Sequence, residues 1–130
     1  MKTVAELMSR ELVEVDPGAT VAEVASVMSQ RTVGSVLVME GGELAGIFTE
    51  RDIVRAISHD IHAPHEQVGD WMSRQPTTIS PGASGDEAAR RMSEGNFRHL
   101  PVVDEAGNLV GMLSMRDLVR AGVLADSKRG

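Results

Sequence analysis

Gly46-Ile47-Phe48-Thr49-Glu50-Arg51-Asp52 is written a second time as Gly111-Met112-Leu113-Ser114-Met115-Arg116-Asp117. Each copy is a glycine, two apolar residues, a hydroxyl, two variable positions and an aspartate. Each runs on into a helical segment, Ile53-Val54-Arg55-Ala56 or Leu118-Val119-Arg120-Ala121. The spelling predicts a buried strand that stops at Thr49 or Ser114 and turns at once into a helix. A hydroxyl at the N-cap accepts from one of the free amides of the first turn, and the aspartate three residues on lies in that same turn, on the same side. Such a junction gathers N–H donors and the positive end of the helix dipole, which suits a phosphate. Its carboxylate can accept hydrogen bonds from a sugar diol. The same hydroxyl-x-x-acid spelling is also that of a capping box; Thr20-x-x-Glu23 and Ser84-x-x-Glu87 read as plain caps of this kind. Cap and ligand site are thus both open readings. The second is favoured because the acid is Asp both times, inside a duplication of almost the whole chain.

That duplication extends in both directions. Leu7-Met8-Ser9-Arg10 aligns with Trp71-Met72-Ser73-Arg74, Pro17-Gly18-Ala19 with Pro81-Gly82-Ala83, and Met28-Ser29 with Met92-Ser93. One extra residue in the turn Asp104 to Gly107 shifts the register before Gly46 meets Gly111. Each copy predicts a short helix (Val4 to Met8, Val68 to Met72), then a short strand (Leu12 to Val15, Thr77 to Ile79) ended by Pro-Gly, a strong turn signal. A helix follows whose apolar face is Val21, Val24, Ala25 and Met28, or Gly85, Ala88, Ala89 and Met92. A hairpin comes next, Val36 to Met39 with Leu44 to Phe48, or Leu100 to Val103 with Leu109 to Leu113, across short Gly-bearing turns. The last helix completes a β-α-β-β-α order. The expected organisation is repeat one over 1–60, a linker over 61–67, repeat two over 68–125 and a frayed polar tail over 126–130. Neither copy buries much surface alone. The predicted class is therefore α/β, more narrowly α+β, with two tandem repeats packed sheet to sheet about a pseudo-twofold axis.

Composition narrows the function classes. The chain has 130 residues, 42% apolar and 25% charged, with one Trp, two Phe and no Tyr, so aliphatic residues and Met must fill the interior. A net charge of −6 argues against nonspecific nucleic-acid binding, and stacking aromatics for single strands are lacking. No apolar run is long enough to span a membrane and no signal peptide is recognisable. With no Cys, disulfides, thiolate metal sites and cysteine nucleophiles are excluded. A cytoplasmic location is expected. His59, His62 and His65 with Asp60 and Glu66 are the one stretch with metal-ligand residue types. Pro64 breaks the helix that would align the imidazoles, so a solvated linker is the preferred reading and no metal is expected.

The order and the residues together resemble the CBS domain, and from Val4 to Ala121 the chain resembles a stand-alone CBS pair, or Bateman module. The resemblance is carried by Leu-Met-Ser-Arg at the start, by the strand ended by Pro, by Arg98-His99-Leu100-Pro101-Val102-Val103-Asp104, and by the twin Gly-h-h-[Thr/Ser]-x-x-Asp. It implies a regulatory module without catalytic activity of its own and without an obligatory cofactor. The implied ligand is AMP, ADP or ATP, with S-adenosylmethionine as the alternative, held in clefts between the repeats. It also implies a homodimer with four repeats in a disc and a separate, unknown effector protein, since no effector domain is fused within these residues. The alternative function is a structural dimerisation or partner-docking pair whose clefts hold no nucleotide.

Carried over by position, Asp52 and Asp117 would hold the ribose, and Thr49, Arg51, Ser114 and Arg116 would lie near the phosphates. Asp52 would face Thr77, Thr78, Arg98 and His99. Asp117 would face Val13, Glu14, Gly34 and Ser35. Backbone groups near Val13 and Thr77 would read the adenine edge between side chains such as Ile47 and Met112. Since Gly34-Ser35 stands where the other repeat has Arg98-His99, the resemblance ranks the Asp52 cleft as the tighter one for a phosphorylated ligand.

Overall fold

The computed structural model describes residues 2–124; the expected frayed tail, 126–130, lies outside the described residues. The chain is mixed α+β and divides into two compact units: Val13–Pro76 is one, and residues 2–12 join 77–124 in the other. These units are not the sequence repeats. The segment that leads into each repeat packs with the hairpin of the other repeat.

In Val13–Pro76, β1 (Glu14–Val15) pairs in parallel with β2 (Ser35–Glu40), β2 pairs antiparallel with β3 (Glu43–Thr49), and β3 pairs antiparallel with β4 (Ser73–Arg74). The β2–β3 turn is Gly41-Gly42, with φ of 61° and 81°. A two-residue turn with both φ positive twists as the strands do, and glycine adopts it without steric cost. α2 (Val21–Arg31) starts at Thr20, whose hydroxyl accepts from the Glu23 amide at 3.1 Å while Glu23 accepts from the Thr20 amide at 2.8 Å. Those Thr20 bonds hold the Glu23 carboxyl below its usual value, so this cap is fully formed at neutral pH and weakens only as pH falls through the lowered value. The apolar face of α2, Val21, Val24 and Met28, joins Val13, Val36, Val38, Phe48, Val68 and Met72 in one core. α3 (Glu50–His59) follows β3 directly.

The second unit repeats the plan with shorter ladders. Its hairpin is β5 (His99–Val103) with β6 (Leu109–Ser114), and its helices are α1 (Val4–Leu7), α4 (Gly85–Gly95) and α5 (Met115–Arg120). Val4, Ile79, Ala88, Met92, Leu100, Val102, Leu113 and Leu118 form its core. The expected strand Thr77 to Ile79 is reduced to one parallel bridge, Ile79 with Val102. Pro101 explains the loss. In the first unit the Leu37 amide donates to the Val13 carbonyl at 2.9 Å; Pro101 holds the matching place and has no N–H to give Thr77. The expected helix Val68 to Met72 is a single 3₁₀ turn, Val68–Asp70, and the expected helix Val4 to Met8 stops at Leu7, with Met8 as its extended C-cap. Residues 61–67 do not run free: Ala63 is fully buried, within a 3₁₀ turn over Ala63–His65.

The exchanged segments are tied down by matching backbone bonds. The Val4 and Ala5 amides donate to the Ala83 and Pro81 carbonyls at 2.8 and 2.9 Å; Val68 and Gly69 do the same to Ala19 and Pro17 at 2.8 and 3.0 Å. These are first-turn amides with no partner inside their own helix. Further on, Ser73 pairs with Ile47, and Ser9 bridges Met112. At both places the neighbouring glycine leaves room for this third row of backbone. A Cβ on Gly46 would stand 2.7 Å from both the Met72 Sδ and the Ser73 carbonyl oxygen, and one on Gly111 would stand 2.9 Å from the Ser9 carbonyl oxygen and against the Met8 Sδ.

Gly46→Ala and Gly111→Ala are each expected to destabilise the fold by about 1–3 kcal/mol through this overpacking. Urea denaturation of both variants checks it; a midpoint unchanged in both would mean that the third row is not held against the hairpins in solution.

Candidate functional site

Each unit builds one strand-to-helix junction, and each junction forms as the sequence spells it. At the first, Thr49 is the N-cap of α3: its amide donates to Asp52 Oδ2 at 2.9 Å, its hydroxyl donates to the same oxygen at 3.2 Å, and the Asp52 amide returns a bond to the hydroxyl at 3.4 Å. At the second, the Ser114 amide donates to Asp117 Oδ2 at 2.8 Å and the Asp117 amide donates to the Ser114 hydroxyl at 3.2 Å. Both motifs are therefore capping boxes. This does not exhaust them, because a carboxylate has two oxygens and about four lone-pair sites.

The two junctions differ in what the second oxygen does. Asp52 is 5% exposed, and its Oδ1 accepts from Arg55 Nη2 at 3.1 Å. That same nitrogen donates to the Trp71 carbonyl at 2.8 Å, and the guanidinium carbon lies 5.4 Å from the Trp71 ring centroid. The indole Nε1 donates to Glu66 Oε1 at 2.8 Å, and the His59 ring is tilted against the indole at 6.0 Å. Asp117 is half-buried, and its Oδ1 bonds none of the described residues. Its Arg120, at the spacing of Arg55, makes no such bond among them, and Leu7 stands where the other repeat has Trp71.

The remaining sequence-predicted residues fall into two groups. Val13, Glu14, Gly34, Ser35, Ile47, Thr49 and Arg51 share a unit with Asp52; Thr77, Thr78, Arg98, His99, Met112, Ser114 and Arg116 share one with Asp117. Ser35 lies opposite Thr49 across the β2–β3 ladder, and the Glu50 amide donates to the Gly34 carbonyl at 3.1 Å. His99 lies opposite Ser114, and the Met115 amide donates to the Arg98 carbonyl at 2.8 Å. Ile47 is buried and Met112 half-buried; Arg51, Arg98 and Arg116 carry exposed side chains. The Thr78 carbonyl is taken by Arg91 Nη1 at 3.0 Å, while Glu87 holds Nη2 of the same guanidinium at 2.9 Å. The sequence reading missed Arg55, Trp71 and Arg91. For Arg55 the only local signal is an arginine three places after the aspartate, and Arg120 carries the same signal without the contact.

In the stretch with metal-ligand residue types, His59 Nδ1 lies 3.0 Å from the Arg55 carbonyl, and the His62 amide donates to Asp60 at 2.9 Å. That amide, and after it a hydrogen bond with Glu66, holds the Asp60 carboxyl below its usual value. Among the described residues no three acidic or histidine side chains gather as a metal set. No helix among them is long and apolar enough to cross a membrane.

The family model of the CBS domain matches residues 4–59 and again 68–124. The chain belongs to the CBS-domain family. It is 34% identical over 118 residues to the CBS domain-containing protein YhcV of Bacillus subtilis (strain 168), covering 91% of this chain and 84% of that one. The CBS-domain containing protein ATU1752 of Agrobacterium tumefaciens has a similar structure, with a TM-score of 0.88 at 31% identity over 92% of each chain. CBSX2, solved in complex with AMP, matches with a TM-score of 0.80 at 27% identity, over 95% of this chain and 97% of its own. The chain is thus a tandem CBS pair.

In this CBS pair, Asp52→Ala removes the acceptor of three hydrogen bonds at a buried position, whereas Asp117→Ala removes that of one at a half-buried position. Leaving a buried donor unsatisfied costs about 1–3 kcal/mol. Asp52→Ala is accordingly expected to lower stability more than Asp117→Ala, and parallel urea titrations give the order. Equal losses would mean that Arg55 and the Thr49 hydroxyl contribute nothing at Asp52.

Proposed function

We propose that this CBS pair is a regulatory module that binds an adenine nucleotide through its ribose, has no catalytic activity of its own, and works in the cytoplasm on a separate effector protein. The single observation that carries the reading is the Asp117 carboxylate. One oxygen is committed to the Ser114 amide, and the other bonds none of the described residues. A fixed acceptor of that kind, in the first turn of a helix, suits a vicinal diol. Ser114 and Arg116 stand beside it for phosphate, and Met112 offers an apolar surface for the base; Thr49, Arg51 and Ile47 are their counterparts at Asp52. CBSX2, 27% identical and solved with AMP, supports AMP as the first ligand to try.

A second observation supports self-association. Val54 is 69% exposed and Ile57 50%, three residues apart on α3 and so on one side of it, and Ile61, 81% exposed, follows just past the helix end. Burying side chains of this size stabilises by about 1.5–3 kcal/mol each. We assign that stripe to a second copy of the chain, giving a homodimer of four repeats.

Two measurements test these readings. In calorimetry with AMP, ADP, ATP and S-adenosylmethionine, Asp117→Ala is expected to weaken nucleotide binding roughly tenfold or more, as loss of a charged hydrogen-bond partner does, with the circular dichroism spectrum unchanged. Unaltered affinity in Asp117→Ala and in the double variant with Asp52→Ala would sink the assignment and leave the capping role alone. For the dimer, light scattering is expected to give twice the chain mass for the wild type and the chain mass for Ile57→Glu combined with Ile61→Glu. A monomeric wild type at micromolar concentration, with and without AMP, rules the dimer out.

A further inference from the structure

We propose that Arg55 is a built-in competitor at Asp52: its guanidinium occupies the carboxylate oxygen that a ligand's hydroxyl needs, and must withdraw before Asp52 binds a ligand. The inference rests on the reading of Asp52 and Asp117 as ribose acceptors, and concerns why the two are unequal. At Asp52 both oxygens are in use, Oδ2 by Thr49 and Oδ1 by Arg55 at 3.1 Å. With the residue 5% exposed, little of that carboxylate remains to be approached.

Arg55 is not a surface arginine that happens to reach an acid. Its side chain is 47% exposed, yet it is held from two further directions. The nitrogen on Asp52 also donates to the Trp71 carbonyl at 2.8 Å, and the guanidinium lies over the indole at 5.4 Å. The indole is fixed in turn by its bond to Glu66 at 2.8 Å. A planar guanidinium held by both an aromatic face and a carbonyl loses little further entropy on pairing with the carboxylate. The other repeat lacks the device: Arg120 has the spacing, but Leu7 offers neither the ring nor the indole N–H found at Trp71. Asp117 is therefore the junction that fills first, and Asp52 fills only in exchange for Arg55. This reverses the ranking that the charges of Arg98 and His99 imply.

The alternative role for Arg55, attraction of a ligand phosphate, predicts the opposite sign. In an Asp117→Ala background, calorimetry with AMP, and with ATP in parallel, compares Arg55 with Arg55→Met, which keeps an unbranched apolar side chain and removes the donors. Competition predicts tighter binding with Met, by about two- to fivefold for a half-exposed pair. Unchanged or weaker binding, or no binding in this background by either protein, overturns the competition alone if the chain with Asp117 intact still binds. If that intact chain binds neither AMP nor ATP, the nucleotide reading falls and the competition with it. A ligand-free arm reads the latch directly. Trp71 is the only tryptophan, so its emission and its quenching by acrylamide are expected to change in Arg55→Met, and in Asp52→Asn, which keeps an oxygen for the Thr49 amide. Wild-type fluorescence in both variants overturns the proposal whatever the ligand does.

Discussion

Everything else in each unit depends on a third row of backbone lying flat against a two-stranded hairpin. A hairpin alone is marginal in water. Here Ser73 lies beside Ile47, and Ser9 beside Met112, and both approaches are possible because Gly46 and Gly111 have no Cβ to meet the incoming carbonyl. The same lead-in segments deliver Val68 and Met72 to one core and Val4 to the other. With that row in place, β3 and β6 are held along their length, and their last residues, Thr49 and Ser114, are fixed where α3 and α5 begin. The aspartates of the junctions inherit their positions from this packing.

At the junctions, capping and binding are not rival explanations. Reciprocal bonds between the hydroxyl residue and the aspartate hold the carboxylate still, and they use one oxygen to do so. A fixed carboxylate loses less freedom when it accepts a further bond, which is the general advantage of a preorganised site. What separates the two junctions is the second oxygen, and its state is set outside the motif, by Trp71 in one unit and Leu7 in the other. Two seven-residue stretches of one pattern thus produce, among the described residues, one engaged and one open acceptor.

The legible part of the fold was the part written in local chemistry. The Gly41-Gly42 turn, the caps at Thr20 and Ser84, and the apolar faces of α2 and α4 stand where periodicity and turn residues placed them. The short ladders were harder. Thr77 to Ile79 has the composition of a strand, but Pro101, on the facing strand, removes the donor it needed. The crossing of the lead-in segments has no local signature at all, since Leu-Met-Ser-Arg reads as the end of a helix and not as the edge of a sheet. The junctions were legible to the same depth: the capping boxes of Thr49 with Asp52 and Ser114 with Asp117 could be read from spacing, whereas Arg55 and Arg120 look alike until the aromatic neighbour contributed by Trp71 is in place.

The crossed lead-in segments also set an order of events during synthesis. Val13–Pro76 is one unbroken stretch and holds all the residues of its own core, so completing that core needs no residue made after Pro76. Residues 2–12 are made before it, yet their core partners, from Ile79 to Leu118, are made after it. Until then Val4, Leu7 and Met8 have no hydrophobic surface of their own unit to cover them. Closing that long loop carries an entropy cost that grows only slowly with its length, so the delay is one of time more than of free energy. A segment made before Val13–Pro76 is thus buried only after residues beyond Pro76 have followed, and it stays within reach of chaperones and proteases over that interval.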